Sequence, residues 1–282
     1  MPAPLTRRTF LALSSMLPAA FLSRAFAANS IPVGLELYSV RDELQRDPQA
    51  TVRAVAKMGY QCVEFYGPYY AWTHDDAKQM RKLLDDLGIR CNSTHNDAAN
   101  FAPDKLEHAR DLNLILGSTY IVQASAGEHL DLDGWKKVAD TLNSAATRLE
   151  PDNLKVGYHN HQPEFTPIQG TRPIEIIAKN TKPSVMLQLD VGTCLEAGSD
   201  PVAWITANPG RVRSLHLKDW SRDSGKGYKV LFGEGNADWK AIFAAAEANG
   251  VEYYLIEQEG SRYSELETVQ KCLEAYRKTR SA

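Results

Sequence analysis

Four cysteines in 282 residues, Cys62, Cys91, Cys194 and Cys272, are too few and too scattered for a disulfide-stapled scaffold. None sits in a CxxC or zinc-ribbon spacing, so neither a dithiol redox motif nor a thiolate-rich structural zinc site is expected. Small buried thiols are the expectation, with a Cys62–Cys91 disulfide as the alternative because those two lie on strands expected to be neighbours. No Gly-rich phosphate loop follows the first strand. Tyr38-Ser-Val-Arg-Asp-Glu43 stands there instead, which argues against an open dinucleotide-binding sheet. The net charge of −3 offers no basic surface for nucleic acid. No apolar run reaches the roughly 20 residues that span a bilayer, so no stable membrane anchor is expected.

What is present begins with an export signal. Thr6-Arg7-Arg8-Thr9-Phe10-Leu11 carries a twin-arginine pattern, an apolar run extends from Leu11 to Leu22, and Ala25-Phe26-Ala27 offers a small-x-small cleavage site. Residues 1–27 are therefore expected to be a cleaved signal peptide and the mature protein to be periplasmic. Twin-arginine export follows folding, which suits a protein that acquires a metal before it leaves the cytoplasm. Removal leaves about 255 residues, the usual size of an eight-stranded α/β barrel.

The mature chain alternates short β-rich runs with amphipathic stretches and has no linker or low-complexity break. Strands are predicted at Val33–Tyr38, Cys62–Tyr66, Arg90–Thr94, Tyr120–Gln123, Lys155–His159, Val185–Asp190, Val212–Leu217 and Tyr253–Glu257. Between them, Met80, Leu83, Leu84 and Leu87 recur at three and four residues, one face of a helix laid on a sheet. Gly59, Gly88 and Gly250 punctuate the ends of such helices. Eight βα units predict an α/β fold, a single closed (β/α)8 barrel over residues 32–280.

The predicted strand ends are unusually rich in ionisable groups. His159, Asp190, His216 and Glu257 stand at the ends of the last four strands, and His95, His161, Glu164, Lys218, Asp219 and Glu259 lie close by. A strand-end Asp is commonly a helix cap, which would fit Asp190 or Asp219, and a single His is commonly structural. Convergence changes this, because a parallel barrel brings its C-terminal strand ends to one rim. Carboxylates mixed with imidazoles suit a divalent cation: manganese first, with magnesium, cobalt or zinc also fitting. Cys194 is read as packing. A cation there would chelate the carbonyl and a neighbouring hydroxyl of a sugar, and a nearby carboxylate, Glu164 or Glu259, would act as base.

These motifs resemble the xylose isomerase-like TIM barrel superfamily, also called the sugar phosphate isomerase/epimerase family. The marks are Leu35-Glu-Leu-Tyr-Ser-Val-Arg41, Gly157-Tyr-His-Asn-His161, Leu189-Asp-Val-Gly192, His216-Leu-Lys-Asp219, Gly233-Glu-Gly235 and Ile256-Glu-Gln258, spread over roughly residues 32–278. The resemblance implies metal ligands at His159, Asp190, His216 and Glu257. His159 departs from the Glu of the ketose 3-epimerases, and Glu164 or His161 is the alternative first ligand. It implies acid–base work by Glu257 and a sugar contact from Arg222, six residues after His216; beside it, Glu164 and Glu259 are the free carboxylates, and His95, Trp220, Lys218 and His161 are further candidates for sugar contact. The Tyr-His-x-His pattern is similar to that of the inosose dehydratases and the enzymes acting on 3-keto sugars.

The expected function is thus a metal-dependent sugar isomerase or epimerase that removes a proton beside a carbonyl, with a small carbohydrate as partner. A lyase or dehydratase acting on 3-keto sugars or 3-keto glycosides is the first alternative. A non-catalytic periplasmic carbohydrate-binding barrel is the second.

Overall fold

Eight short strands rich in β-branched and aromatic residues pair in parallel and in chain order: β1 Val33–Glu36, β2 Cys62–Phe65, β3 Arg90–Asn96, β4 Tyr120–Gln123, β5 Lys155–His159, β6 Met186–Asp190, β7 Ser214–Leu217 and β8 Tyr253–Ile256. The last strand closes on the first, with Gly34 opposite Leu255, so the sheet is a barrel without edges. The coordinates are a computed structural model that describes residues 31–127 and 130–281; the expected signal peptide lies outside these residues. Pro32–Ala282 form one compact unit. Among the described residues no helix is long and apolar enough to cross a membrane.

The α-helices are α1 Arg41–Arg46, α2 Pro48–Met58, α3 His74–Leu87, α4 Pro103–Leu116, α5 Leu132–Leu149, α6 Gln162–Phe165, α7 Pro173–Asn180, α8 Val191–Glu196, α9 Pro201–Ala207, α10 Trp239–Ala248 and α11 Glu265–Ser281. In α3 the predicted apolar stripe is buried at Met80, Leu83 and Leu84 and half-buried at Leu87. Asp76 and Thr73 cap each other at its start, and Gly88 ends it with φ of 66°. Burying each such side chain contributes about 1.5–3 kcal/mol.

Side chains alternate across a strand, so every second residue points into the barrel. The lower interior is apolar: Cys62, Tyr120, Val122, Met186, Tyr253 and Leu255 form one buried cluster. Two residues beyond Cys62 and Met186 stand Glu64 and Gln188, and β5 and β7 add His159 and His216, all buried and all polar or charged. An irregularity between β2 and β3 contributes to this layer. Val63 pairs with Cys91 but Glu64 pairs with Ser93, so Asn92 is an extra residue that switches the face β3 presents. The switch puts His95, two residues beyond Ser93, on the same side as Glu64. All four cysteines are buried and free, so the disulfide alternative does not hold.

The interior is tight where strands must approach. A Cβ on Gly34 would lie 2.5 Å from the Cys62 carbonyl oxygen, a backbone atom that cannot swing aside. Gly34→Ala is therefore expected to cost about 1–3 kcal/mol by overpacking. Urea unfolding checks this, with a lowered midpoint at unchanged slope expected; an unchanged midpoint would show that the β1–β2 seam can open.

Candidate active site

At the C-terminal mouth two carboxylates grip one imidazole. His216 Nδ1 lies 2.5 Å from Glu257 Oε2, and His216 Nε2 lies 2.8 Å from Glu64 Oε2. With an acceptor at each nitrogen, the ring carries two N–H donors and is an imidazolium. Burial alone would lower its pKa, but Glu257 and Glu64 hold it well above the ordinary value. Burial likewise opposes ionisation of Glu64, yet His95 and His216 together keep it far below the usual carboxylate range.

Gln188 sorts the other two imidazoles. Its Nε2 donates to Glu64 Oε1 at 2.9 Å, which leaves Oε1 to accept from His95 Nε2 at 2.7 Å and His159 Nδ1 at 3.1 Å. His95 Nε2 is also 3.0 Å from Glu64 Oε2, and despite burial this carboxylate raises His95 to about 9. Among the described residues His159 has no carboxylate within hydrogen-bonding distance. Burial, then the neighbouring His216 and His95, push it well below its ordinary value, so it is neutral. With Nδ1–H donating to Gln188, its Nε2 lone pair is free, 4.0 Å from Asp190 Oδ2.

Asp190 does two jobs. Its Oδ1 accepts from the Thr193 amide at 2.9 Å and caps α8, while the buried Oδ2 has no hydrogen-bond partner. Lys218 Nζ stands 3.6 Å from that bare oxygen, 3.2 Å from Glu257 Oε1, and against Glu259 Oε1. One ligand atom each from His159, Asp190 and Glu257 lie within 4.8 Å of one another, and so do one each from His95, His159 and His216. An orphaned carboxylate oxygen beside a free imidazole lone pair fits a divalent cation, and the donor set holds no thiolate.

The sites expected from sequence divide clearly. His159, Asp190, His216 and Glu257 come together. His95, His159, His161, Glu257 and Glu259 line a cleft of about 450 Å³ together with Glu36, Tyr38, Tyr66, Asn96 and Asp97. Glu164 is not a free base or ligand: Oε1 accepts from the Tyr158 hydroxyl at 2.7 Å and Oε2 from the His161 amide at 3.0 Å, at the start of α6. Glu at the third helical position after Pro163 is a capping pattern already visible in the sequence. Arg222 is exposed and Trp220 half-buried on the β7–α10 loop, and neither lines the cleft. Lys218 is buried among carboxylates rather than presented to a ligand. Missed from sequence were Glu64 and Gln188, which orient the imidazoles. The period of two along β2 and β6 was the signal that could have found them.

Asp219 organises the adjoining loop. Its carboxylate accepts from the backbone amides of Trp220, Gly233, Gly235 and Ala237 and from the Trp239 indole. Gly235 leaves room for it, since a Cβ there would fall 2.0 Å from Asp219 Oδ1. This explains the Gly-Glu-Gly signature as a carboxylate cradle.

A model of the xylose isomerase-like TIM barrel family matches residues 52–279. The chain belongs to this family of enzymes. It is 30% identical to an inosose dehydratase of Clostridium tetani over 152 residues, 47% of this chain and 50% of that protein. The chain thus spans about half the length of the curated relatives it matches. A sugar phosphate isomerase/epimerase from Parabacteroides distasonis superposes with a TM-score of 0.74 at 28% identity, covering 88% of this chain and 94% of that one. The IolI protein with a bound zinc atom shares the fold, with a TM-score of 0.67 at 16% identity over 87% and 96%.

Two outcomes follow from the geometry. Asp219→Ala strands several amides and is expected to cost about 3–5 kcal/mol, read as a shifted denaturant midpoint; a shift near zero would mean water replaces the carboxylate. His95 is raised to about 9, so its contribution to stability is complete below about 6.5 and fades as pH rises through 9. Burial raises Glu36 to about 8, so its folded state also holds a proton that rising pH removes. Chelator-treated protein should therefore lose melting temperature between pH 6 and 9, and His95→Gln should lose less. An equal loss in both would remove His95 from the account.

Proposed function

We propose that the protein is a divalent-metal-dependent enzyme that removes a proton beside the carbonyl of a sugar or keto sugar, and that the usual outcome is elimination. The observation that carries this is the bare, buried Asp190 Oδ2 facing the free nitrogen of His159 across the mouth of the barrel. The cation would be held by His159, Asp190, His216 and Glu257, with manganese first among the candidates. When bound, it would act as a Lewis acid towards a carbonyl oxygen in the cleft. Glu64 holds the far nitrogen of His216, while Nδ1, which donates to Glu257 in this structure, would have to give up its proton to join the cation.

The remaining steps belong to the chain's own groups. Glu259, at the rim and steadied by Lys218, takes the proton beside the carbonyl. His95 and His161 offer ring nitrogens to sugar hydroxyls along the cleft. Epimerisation by two bases needs a carboxylate that serves as acid on the second face. At the β5 position, where the resemblance would put it, stands neutral His159, and this favours elimination. The dehydratase names of the sequence relatives agree in reaction type. Isomerisation or epimerisation is the second reading, supported by the Parabacteroides neighbour that matches nearly end to end.

We further propose that residues 1–27 are a twin-arginine signal peptide, that residues 32–280 form the mature barrel, and that it works in the periplasm on unphosphorylated carbohydrate.

Elemental analysis should find one divalent ion per chain, with occupancy falling about 10-fold or more in Asp190→Asn and Glu257→Gln while the circular dichroism stays unchanged; Glu64→Gln should weaken metal affinity about 10–100-fold. Full occupancy in the first two variants would sink the ligand set. With keto sugars or keto glycosides in deuterated water, a new C=C absorbance with a released alcohol or water supports elimination. Deuterium uptake at unchanged connectivity supports isomerisation. Binding with neither leaves a carbohydrate-binding barrel.

A further inference from the structure

Glu36 has no part in the reaction as described, yet it is built into the same cleft. It ends β1, is 1% exposed, and lines the wall with Tyr38 and Tyr66. Its Oε1 is engaged: the Tyr38 amide donates to it at 3.4 Å, and His95 Nδ1 lies 3.9 Å away. Its Oε2 is buried and has no hydrogen-bond partner. A charged carboxylate with one bare oxygen in such a place is costly, whereas a neutral carboxyl needs only one acceptor for its O–H. Burial, opposed by His95, raises this carboxyl to about 8, so it keeps its proton near neutrality.

Among the described residues none accepts from that O–H, which leaves an oxygen of the ligand. The guanidinium of Arg41 fixes the distance from this wall to the base, because it donates to the carbonyls of both Tyr38 and Glu259, at 3.1 and 3.0 Å. The wall is stiff, with the Tyr38 and Tyr66 rings edge to face at 5.2 Å. A cleft of about 450 Å³ also exceeds what one sugar ring needs, leaving space for a substituent carried on the ring.

We propose that Glu36 is the general acid of the elimination, protonating the departing glycosidic oxygen of a 3-keto glycoside, and this rests on the elimination reading above. Glu259 takes the hydrogen at C2, beside the C3 carbonyl. The C2–H electron pair becomes the C1=C2 double bond, the C1–O bond breaks, and its oxygen leaves with the proton of Glu36. The products are an unsaturated keto sugar and a free alcohol. Glu259 then releases its proton to solvent and Glu36 regains one, so no oxidant or reductant is consumed.

The test compares two leaving groups on the metal-loaded mature enzyme: methyl 3-keto-glucoside, whose alkoxide needs a proton, and 4-nitrophenyl 3-keto-glucoside, whose phenolate leaves as a stable anion. Glu36→Gln is expected to lower kcat/KM for the methyl substrate by on the order of 100-fold or more while changing the nitrophenyl substrate less than about 5-fold. Equal slowing of both, or slowing of neither, overturns the assignment of Glu36 alone. Loss of a bound ion in Glu36→Gln also overturns it, because Glu36, Glu64 and His95 would then be ligands to a second cation. A wild type that releases no alcohol from either substrate overturns the elimination reading and the proposal with it.

Discussion

Charge balance around His216 governs the mouth of this barrel. Glu64, Asp190 and Glu257 are buried within reach of His95, His216 and Lys218. Two like charges about 4 Å apart repel by roughly 4 kcal/mol at an effective dielectric of 20. Three carboxylates left to themselves would therefore ionise poorly or push the strand ends apart. The imidazoliums and the ammonium offset that repulsion, yet one oxygen of Asp190 is still bare, and burial raises the pKa of that carboxyl. The cation proposed at His159, Asp190 and Glu257 would give that oxygen the partner it lacks among the described residues.

The fold earns this cluster through two backbone features rather than through loops. Period-two alternation stacks a polar layer directly above an apolar one, so the charged groups stand on strands that the core has already made rigid. The extra residue at Asn92 turns β3 so that His95 joins Glu64. Below, Gly34 and Gly157 allow the strands to close around Cys62 and Met186. Precision at the mouth thus comes from packing beneath it. The β7–α10 loop, held by Asp219, borders the site without contributing to the cleft.

Most of the fold was legible in the sequence. The eight strands lie where predicted within two residues at either end, and Gly59 and Gly88 end α2 and α3 as their positions suggest. Asp190, His216 and Glu257 could be found because each ends a strand and the barrel brings those ends together. Glu64 and Gln188 were harder, since a buried Glu or Gln inside a short strand carries no motif and only its face relates it to the others. Glu164 misled because proximity to a histidine motif was weighed above the capping pattern in which it sits. Arg222 matched a spacing, but spacing within a long loop does not specify direction. Glu36 was visible only as part of the Leu35–Arg41 motif, and its importance lies in an unpartnered oxygen that the structure reveals.

Anomalous diffraction from crystals of the manganese-loaded mature protein, collected at the manganese edge, tests the central claim most directly. The account predicts a single strong peak bonded to Asp190 Oδ2 and His159 Nε2, with Glu257 and His216 turned towards it. A map with no peak there, in which Lys218 instead closes onto Asp190 and Glu257 as a plain ion-pair network, would contradict it.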